Sequence, residues 1–178
     1  QLFAANLAIH LNCEEGAQLK LNRVIRIATQ PIIQSQGLGS RLLNAISQTS
    51  LDQGIDLLGS SFGATSSLVR FWSKNNFHPL RVSVRQSHVS GERSLLVAKG
   101  LSSRAKYLLR DLIYPLRQEL DEQLLTVARD ISPDIVFQLY AQLSLLIRQQ
   151  ELANSEIDVI AISKYIDLSD REWKALGA

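Results

Sequence analysis

The chain has 178 residues, 46% of them hydrophobic and 20% charged, with a mean hydropathy of +0.01 and a formal net charge of +2. Such a chain can bury a real core, as one domain or one domain with a small appendage, and it has no apolar run near the roughly 20 residues of a helical membrane span nor the flanks of a signal peptide. The single cysteine, Cys13, excludes an internal disulfide and suits a reducing, cytoplasmic setting, and the absence of methionine in a chain that begins at Gln1 is expected of a piece of a longer protein.

The first predicted element is a short amphipathic helix over Leu2 to Leu11, followed by a turn at Gly16. Arg23 to Thr29 reads as a strand: Val24, Ile25 and Ile27 are strand formers, and Pro31, with no N–H to donate, stops the ladder. Leu38, Leu42, Leu43 and Ile46 then recur at helical spacing, which predicts a helix from about Leu38 to Thr49. A strand over Ile55 to Ser60, a helix opening near Thr65 and running to Asn75, and strands over Phe77 to Val84 and Ser94 to Ala98 complete a βαβα alternation. That alternation argues for a layered α/β sheet.

After Leu101 the pattern is helical throughout. Ser102 is an N-cap candidate, and Leu108, Leu112, Leu116, Leu120 and Leu124 share one face, interrupted by Pro115, which should kink or restart the helix. Ser132-Pro-Asp134 opens another helix, with Val136, Leu139, Tyr140, Leu143 and Ile147 as its stripe. Ser169 to Glu172 forms a capping box for a last short helix holding Trp173. Residues 1–100 are therefore expected to form an α/β module and 101–178 a small all-α C-terminal tail domain. The first part carries ten Lys/Arg against five Asp/Glu and the second nine against twelve, a balance that suits phosphate-bearing ligands and an ordinary solvated surface equally.

The stretch with the clearest chemistry is Gln34-Ser-Gln-Gly-Leu-Gly39, which re-enters structure after the strand and Pro31. Gly37 and Gly39 sit at a helix start, where backbone N–H groups lack intrahelical partners, the dipole is positive, and glycine lets a pyrophosphate approach the main chain. This loop resembles the Gln/Arg-x-x-Gly-x-Gly/Ala loop of the GNAT acetyltransferase superfamily. Arg26-Ile-Ala28, Gly59-Ser-Ser-Phe-Gly-Ala-Thr65, Leu68, Arg70-Phe-Trp72, Lys74, Phe77, Val84-Arg85 and Ser90-Gly-Glu-Arg-Ser94 are further similar to the acetyltransferase module of the bacterial tRNA(Met) cytidine N4-acetyltransferase family. The resemblance covers about the first hundred residues.

It implies a GNAT-type mixed sheet flanked by helices, with the first strands of the sheet outside this chain. Acetyl-CoA would lie where two strands splay apart. Ile27, Ala28 and Thr29 would offer backbone groups to its pantetheine arm, Gln34, Ser35, Gln36, Gly37, Leu38, Gly39 and Ser40 would hold the pyrophosphate, and Lys74 would stand where the family usually presents an arginine. Ser67 falls where a glutamate is expected. The family acetylates N4 of the wobble cytidine of elongator tRNA(Met) and uses ATP, but no Gly-x-x-x-x-Gly-Lys-Ser/Thr occurs here, so the ATP site is expected only in the full-length enzyme. In that family's tail the basic positions Arg104, Lys106, Arg110 and Arg117 would face tRNA. Two other readings remain open: a GNAT enzyme acting on protein or small-molecule amines, and a non-catalytic RNA-binding or scaffold fragment.

The catalytic group is not assigned by the residues. Many GNAT enzymes place a tyrosine after the second helix, whereas Phe71-Trp72 stands here, and an indole N–H cannot return a proton to a thiolate. Of the three histidines, His10, His78 and His88, only His10 is a speculative base, because it precedes the cofactor strand; none shows metal-ligand spacing with another. Gly59-Ser-Ser61-Phe-Gly63 matches a nucleophile elbow, yet no histidine follows the first downstream acid, Glu92, so a hydrolase triad is excluded and Ser61 is expected in the turn that opens the second helix. Arg85 is a candidate phosphate contact or a plain exposed strand end.

Overall fold

A computed structural model describes residues 18–87, 91–126, 128 and 130–151. The expected helix at Leu2 to Leu11, the turn at Gly16, Cys13, His10, His88, Ser90 and the capping box with Trp173 lie outside the described residues. Four strands, β1 (Leu21–Val24), β2 (Leu57–Gly63), β3 (His78–Gln86) and β4 (Arg93–Gly100), form one sheet in the order β1-β2-β4-β3. The β1/β2 pair is parallel and the β2/β4 and β4/β3 pairs are antiparallel, so the sheet is mixed. The helices are α1 (Leu38–Asp52), α2 (Ser66–Lys74), α3 (Ser103–Asp111), α4 (Ile113–Leu125) and α5 (Pro133–Glu151).

Period-two alternation assigns each strand residue to one of two cores. Leu58 of β2, Val82 of β3 and Leu95 and Val97 of β4 face Leu43 of α1, Val69 and Trp72 of α2, Leu116 and Leu120 of α4, and Leu139, Tyr140 and Leu143 of α5. Leu57, Leu80 and Ala98 point the other way, against Ala105, Leu109 and Leu112. The apolar stripe read on α5 is buried at all five positions. Helices on both sides of residue 100 thus cover the same sheet.

Capping chemistry fixes the helix starts. Thr65 Oγ1 accepts from Leu68 N at 3.4 Å and Ser102 Oγ from Ala105 N at 3.2 Å, which relieves one orphan donor at each end. Pro115 lies in the first turn of α4, after a break at Leu112, as the restart expectation requires. Polar ties then hold α5 in place: Gln138 Nε2 donates to Ser66 Oγ at 2.6 Å, and Gln142 Nε2 to Phe77 O at 2.7 Å. Arg93, buried on β4, donates to Ser83 O at 3.1 Å, to Val84 O, and to Asp130 just before α5.

The strand bounds and the place of Ser61 differ from expectation. The first strand spans Leu21–Val24, not Arg23 to Thr29, because its ladder with β2 stops at Val24↔Ser60. There the buried Ser60 Oγ donates to Val24 O at 3.0 Å, and Ile25 beyond it is 76% exposed. The second strand runs Leu57–Gly63 instead of Ile55 to Ser60, since its antiparallel partner β4 holds it as far as Gly63↔Ser94. Ser61 is consequently inside β2, paired with Leu96, and not in the turn before α2. The last two strands each run two residues further at the C-terminal end than the alternation indicates, to Gln86 and Gly100.

Candidate functional site

Where β1 ends and β2 continues, the two parallel strands part. Ile27, Ala28 and Thr29 leave the sheet outside the ladder, Pro31–Ile33 forms a 3-10 turn, and Gln34 Nε2 donates back to Thr29 O at 3.1 Å. That bond closes a loop which delivers the chain to α1. Ser35 has φ 62° and Gly37 φ 79°, left-handed conformations that reverse the chain within three residues; glycine adopts one freely and serine only under constraint. Gly37 is the N-cap of α1.

That helix start has no side-chain cap and no acid in its first turn. Its leading N–H groups are therefore uncommitted, and the positive end of the dipole is not offset by a carboxylate. Gly39 permits a close approach of a second kind: a β-carbon there would sit 3.1 Å from Phe71 Cε2 and 3.9 Å from Ile27 Cδ1. A side chain at this position would press on Phe71 where the α1 start lies against α2.

The result is a cavity of about 470 Å³. Of the sequence-predicted cofactor residues, Ile27, Ala28, Thr29, Gln34, Ser35, Gly37, Leu38, Gly39, Ser40 and Lys74 all line it, and Gln36 does not. Ile33, Leu68 and Phe71 complete the wall; Leu68 and Phe71 belong to the stretch that carries the resemblance but not to the expected cofactor residues, and Ile33 carries no signal in the sequence. Ser67 lines the cavity as well, so the family's expected glutamate is replaced by a neutral hydroxyl. Lys74 is the sole ionisable side chain among the described lining residues. A free helix N-terminus, a lysine and no carboxylate make an environment suited to an anion.

Trp72 is 3% exposed and does not line the cavity. It stacks on Phe62 at 5.6 Å between centroids and meets Phe71 and Phe77 edge-on at 5.5 and 4.7 Å. Its indole is a core group, in keeping with its exclusion from proton transfer. His78 lies elsewhere, where burial lowers its pKa, and Arg85 is exposed on β3. Among the described residues no group of three or more metal-ligating side chains occurs, and no helix is long and apolar enough to cross a membrane.

Comparison with known proteins bears on this geometry. Residues 45–102 match the family model GNAT acetyltransferase 2. The chain is 37% identical over 134 residues to tRNA(Met) cytidine acetyltransferase TmcA of Nitrosococcus halophilus, covering 75% of this chain and 18% of that protein. The protein of the same name from Thermococcus sp. is 38% identical over 131 residues, covering 74% and 16% respectively. That from Methanopyrus kandleri is 31% identical over 159 residues, covering 89% and 18%. The chain thus spans less than a fifth of the length of these relatives.

Proposed function

Because the chain carries a GNAT acetyltransferase domain and is a homologue of the tRNA(Met) cytidine acetyltransferases, we propose that it forms the acetyl-CoA-binding part of a longer N-acetyltransferase acting on N4 of the wobble cytidine of tRNA(Met). The observation that carries this reading is the convergence of the strand splay, the uncapped start of α1 and Lys74 on one cavity.

The residues fit the group. The N–H groups of Leu38, Gly39 and Ser40 would receive the pyrophosphate, with Lys74 adding a point charge where an arginine would add a planar fork. The unladdered peptides of Ile27 to Thr29 offer donors and acceptors to the amides of the pantetheine arm, while Ile33, Leu68 and Phe71 exclude water around it. Bound there, acetyl-CoA supplies an activated acetyl group. The chain's own contribution is to fix and desolvate that group beside the acceptor, an effect of position. No acid, histidine or tyrosine is among the described lining residues, and the cytosine amine, conjugated with its ring, gains more from proximity than from a strong base. The tRNA contacts and the use of ATP are assigned to the longer protein.

Calorimetric titration of the 178-residue chain with acetyl-CoA, and with desulfo-CoA as the control for thiol chemistry, tests this. Saturable binding of both is expected. A folded chain that binds neither overturns the cofactor assignment for this part of the protein.

A further inference from the structure

We infer that Gln138 of α5 is a positioning residue for acetyl-CoA binding, acting through Ser66 on the start of α2. The inference rests on the acetyl-CoA reading of the cavity. α2 supplies Ser67, Leu68, Phe71 and Lys74 to the cavity wall, three to four residues apart along one helix face. A tilt at the start of this nine-residue helix moves all of them, and Lys74 is the sole ionisable group among the described lining residues.

The start of α2 is weakly held from within. Thr65 Oγ1 caps it at 3.4 Å from Leu68 N and also lies 3.3 Å from Ser67 Oγ. No acid stands in the first turn of α2. The carboxylate at this helix start comes instead from α5. Gln138 Nε2 donates to Ser66 Oγ at 2.6 Å and to both oxygens of Asp134 at 3.2 Å. Ser66 in turn donates to Asp134, and this bond is the leading cause of a lowered Asp134 pKa, ahead of the bond from Gln138 and the charge of Arg70, with burial opposing them. The closed triangle of Gln138, Ser66 and Asp134 therefore sets an anion at the positive end of α2 and fixes the residue next to the cavity wall.

Stability alone does not account for an amide at residue 138. Its Oε1 is closed to solvent and has no hydrogen-bond partner among the described residues. A buried acceptor left unmet costs free energy, and an apolar side chain of similar length would fill the place without that cost. Ser66 and Asp134 are only half-buried, so water can replace the amide at both. What a leucine lacks is a donor to orient the Ser66 hydroxyl. The amide thus gives up stability and gains a fixed start for the helix that carries the cofactor wall.

The test is calorimetric titration of the 178-residue chain with acetyl-CoA, beside thermal unfolding of each variant by circular dichroism. Gln138→Leu should weaken acetyl-CoA binding by about fivefold or more while the melting temperature stays level or rises. Ser66→Ala should weaken it to a similar degree, and the double variant should bind no more weakly than the worse single one, because both remove one bond. Ser66→Thr, which keeps the hydroxyl, should bind like the parent. Gln142→Leu breaks a different tie of α5, the bond to Phe77 O, and should lower the melting temperature while leaving affinity alone. Parental affinity in Gln138→Leu, full additivity in the double variant, an equal loss in Gln142→Leu, or affinity that falls only in step with melting temperature would overturn the inference. A parent chain that binds no acetyl-CoA overturns the cofactor reading with it, whereas a binding parent and an equally binding Gln138→Leu overturn this inference alone.

Discussion

At Gly39 a β-carbon would press on Phe71 at 3.1 Å, whereas at Gly37 it would meet nothing within 4 Å and the demand is on φ alone. Gly39→Val should therefore drive Phe71 into the cavity and lower acetyl-CoA affinity by about tenfold or more in calorimetry, with a modest fall in melting temperature. Gly37→Ala should cost about 1 to 2 kcal/mol of stability, measured by urea unfolding, because an L-residue is held at positive φ. The place of both glycines at the start of α1 was legible in the sequence, since a Gly-x-Gly after a strand and a proline marks a strand-to-helix junction. Lys74 was legible through the family resemblance. A cavity lined by His78, Lys99, Lys106 and Arg110 was not, because these residues come from three elements, β3, β4 and α3, and only packing brings them together. A different single-residue effect concerns acid stability. Hydrogen bonds from Arg93, aided by Gln86, lower the Asp130 pKa from 3.8 to about 2. That contribution is present in full above 3.8 and is lost as pH falls from there to about 2, since the unfolded chain takes up the proton first. Asp130 is partly exposed, so the effect is screened. Asp130→Asn should flatten the acid limb of a melting-temperature profile over that window and leave the neutral region with a smaller, pH-independent loss.

At the scale of elements, helices were easier to read than strand ends. The start of α2 at Thr65, the start of α3 at Ser102 and the restart at Pro115 each depend on a local group, a hydroxyl or a missing N–H, and the sequence displays such groups directly. Strand ends depend on the neighbour. Ile25 and Ile27 have high β propensity, yet a ladder ends where its partner's geometry ends it, and here that is the bond from Ser60 to Val24 O. The same bond anchors the fork of the splay. Ser60→Ala should leave that buried carbonyl without its side-chain partner, costing about 1 to 2 kcal/mol in urea unfolding, and should loosen acetyl-CoA binding several-fold because the two strands lose their pin. A variant as stable as the parent and equally able to bind would remove Ser60 from the account of the gap.

On the scale of the whole molecule, the composition break after Leu101 and the packing lead to different expectations for unfolding. The sequence divides into an α/β part over 1–100 and a helical part over 101–178. Yet Leu139, Tyr140 and Leu143 of α5 lie in one apolar cluster with Trp72, Phe77 and Leu95, and Gln138 and Gln142 bond across to Ser66 and Phe77 O. We propose that the described helices and the sheet unfold together. Leu139, 1% exposed, is the probe: Leu139→Ala should cost about 2 to 5 kcal/mol, the cost of removing a core leucine and leaving a partial cavity. In urea, far-UV circular dichroism, dominated by helix, and tryptophan fluorescence, which includes Trp72 between its aromatic neighbours, should shift to one lower midpoint. Leu95→Ala, on the sheet side of the same cluster, should move both signals in the same way. If Leu139→Ala instead displaced the helical signal and left the fluorescence midpoint in place, the helices would be a separable unit, and the boundary read at residue 100 would be thermodynamic as well as compositional.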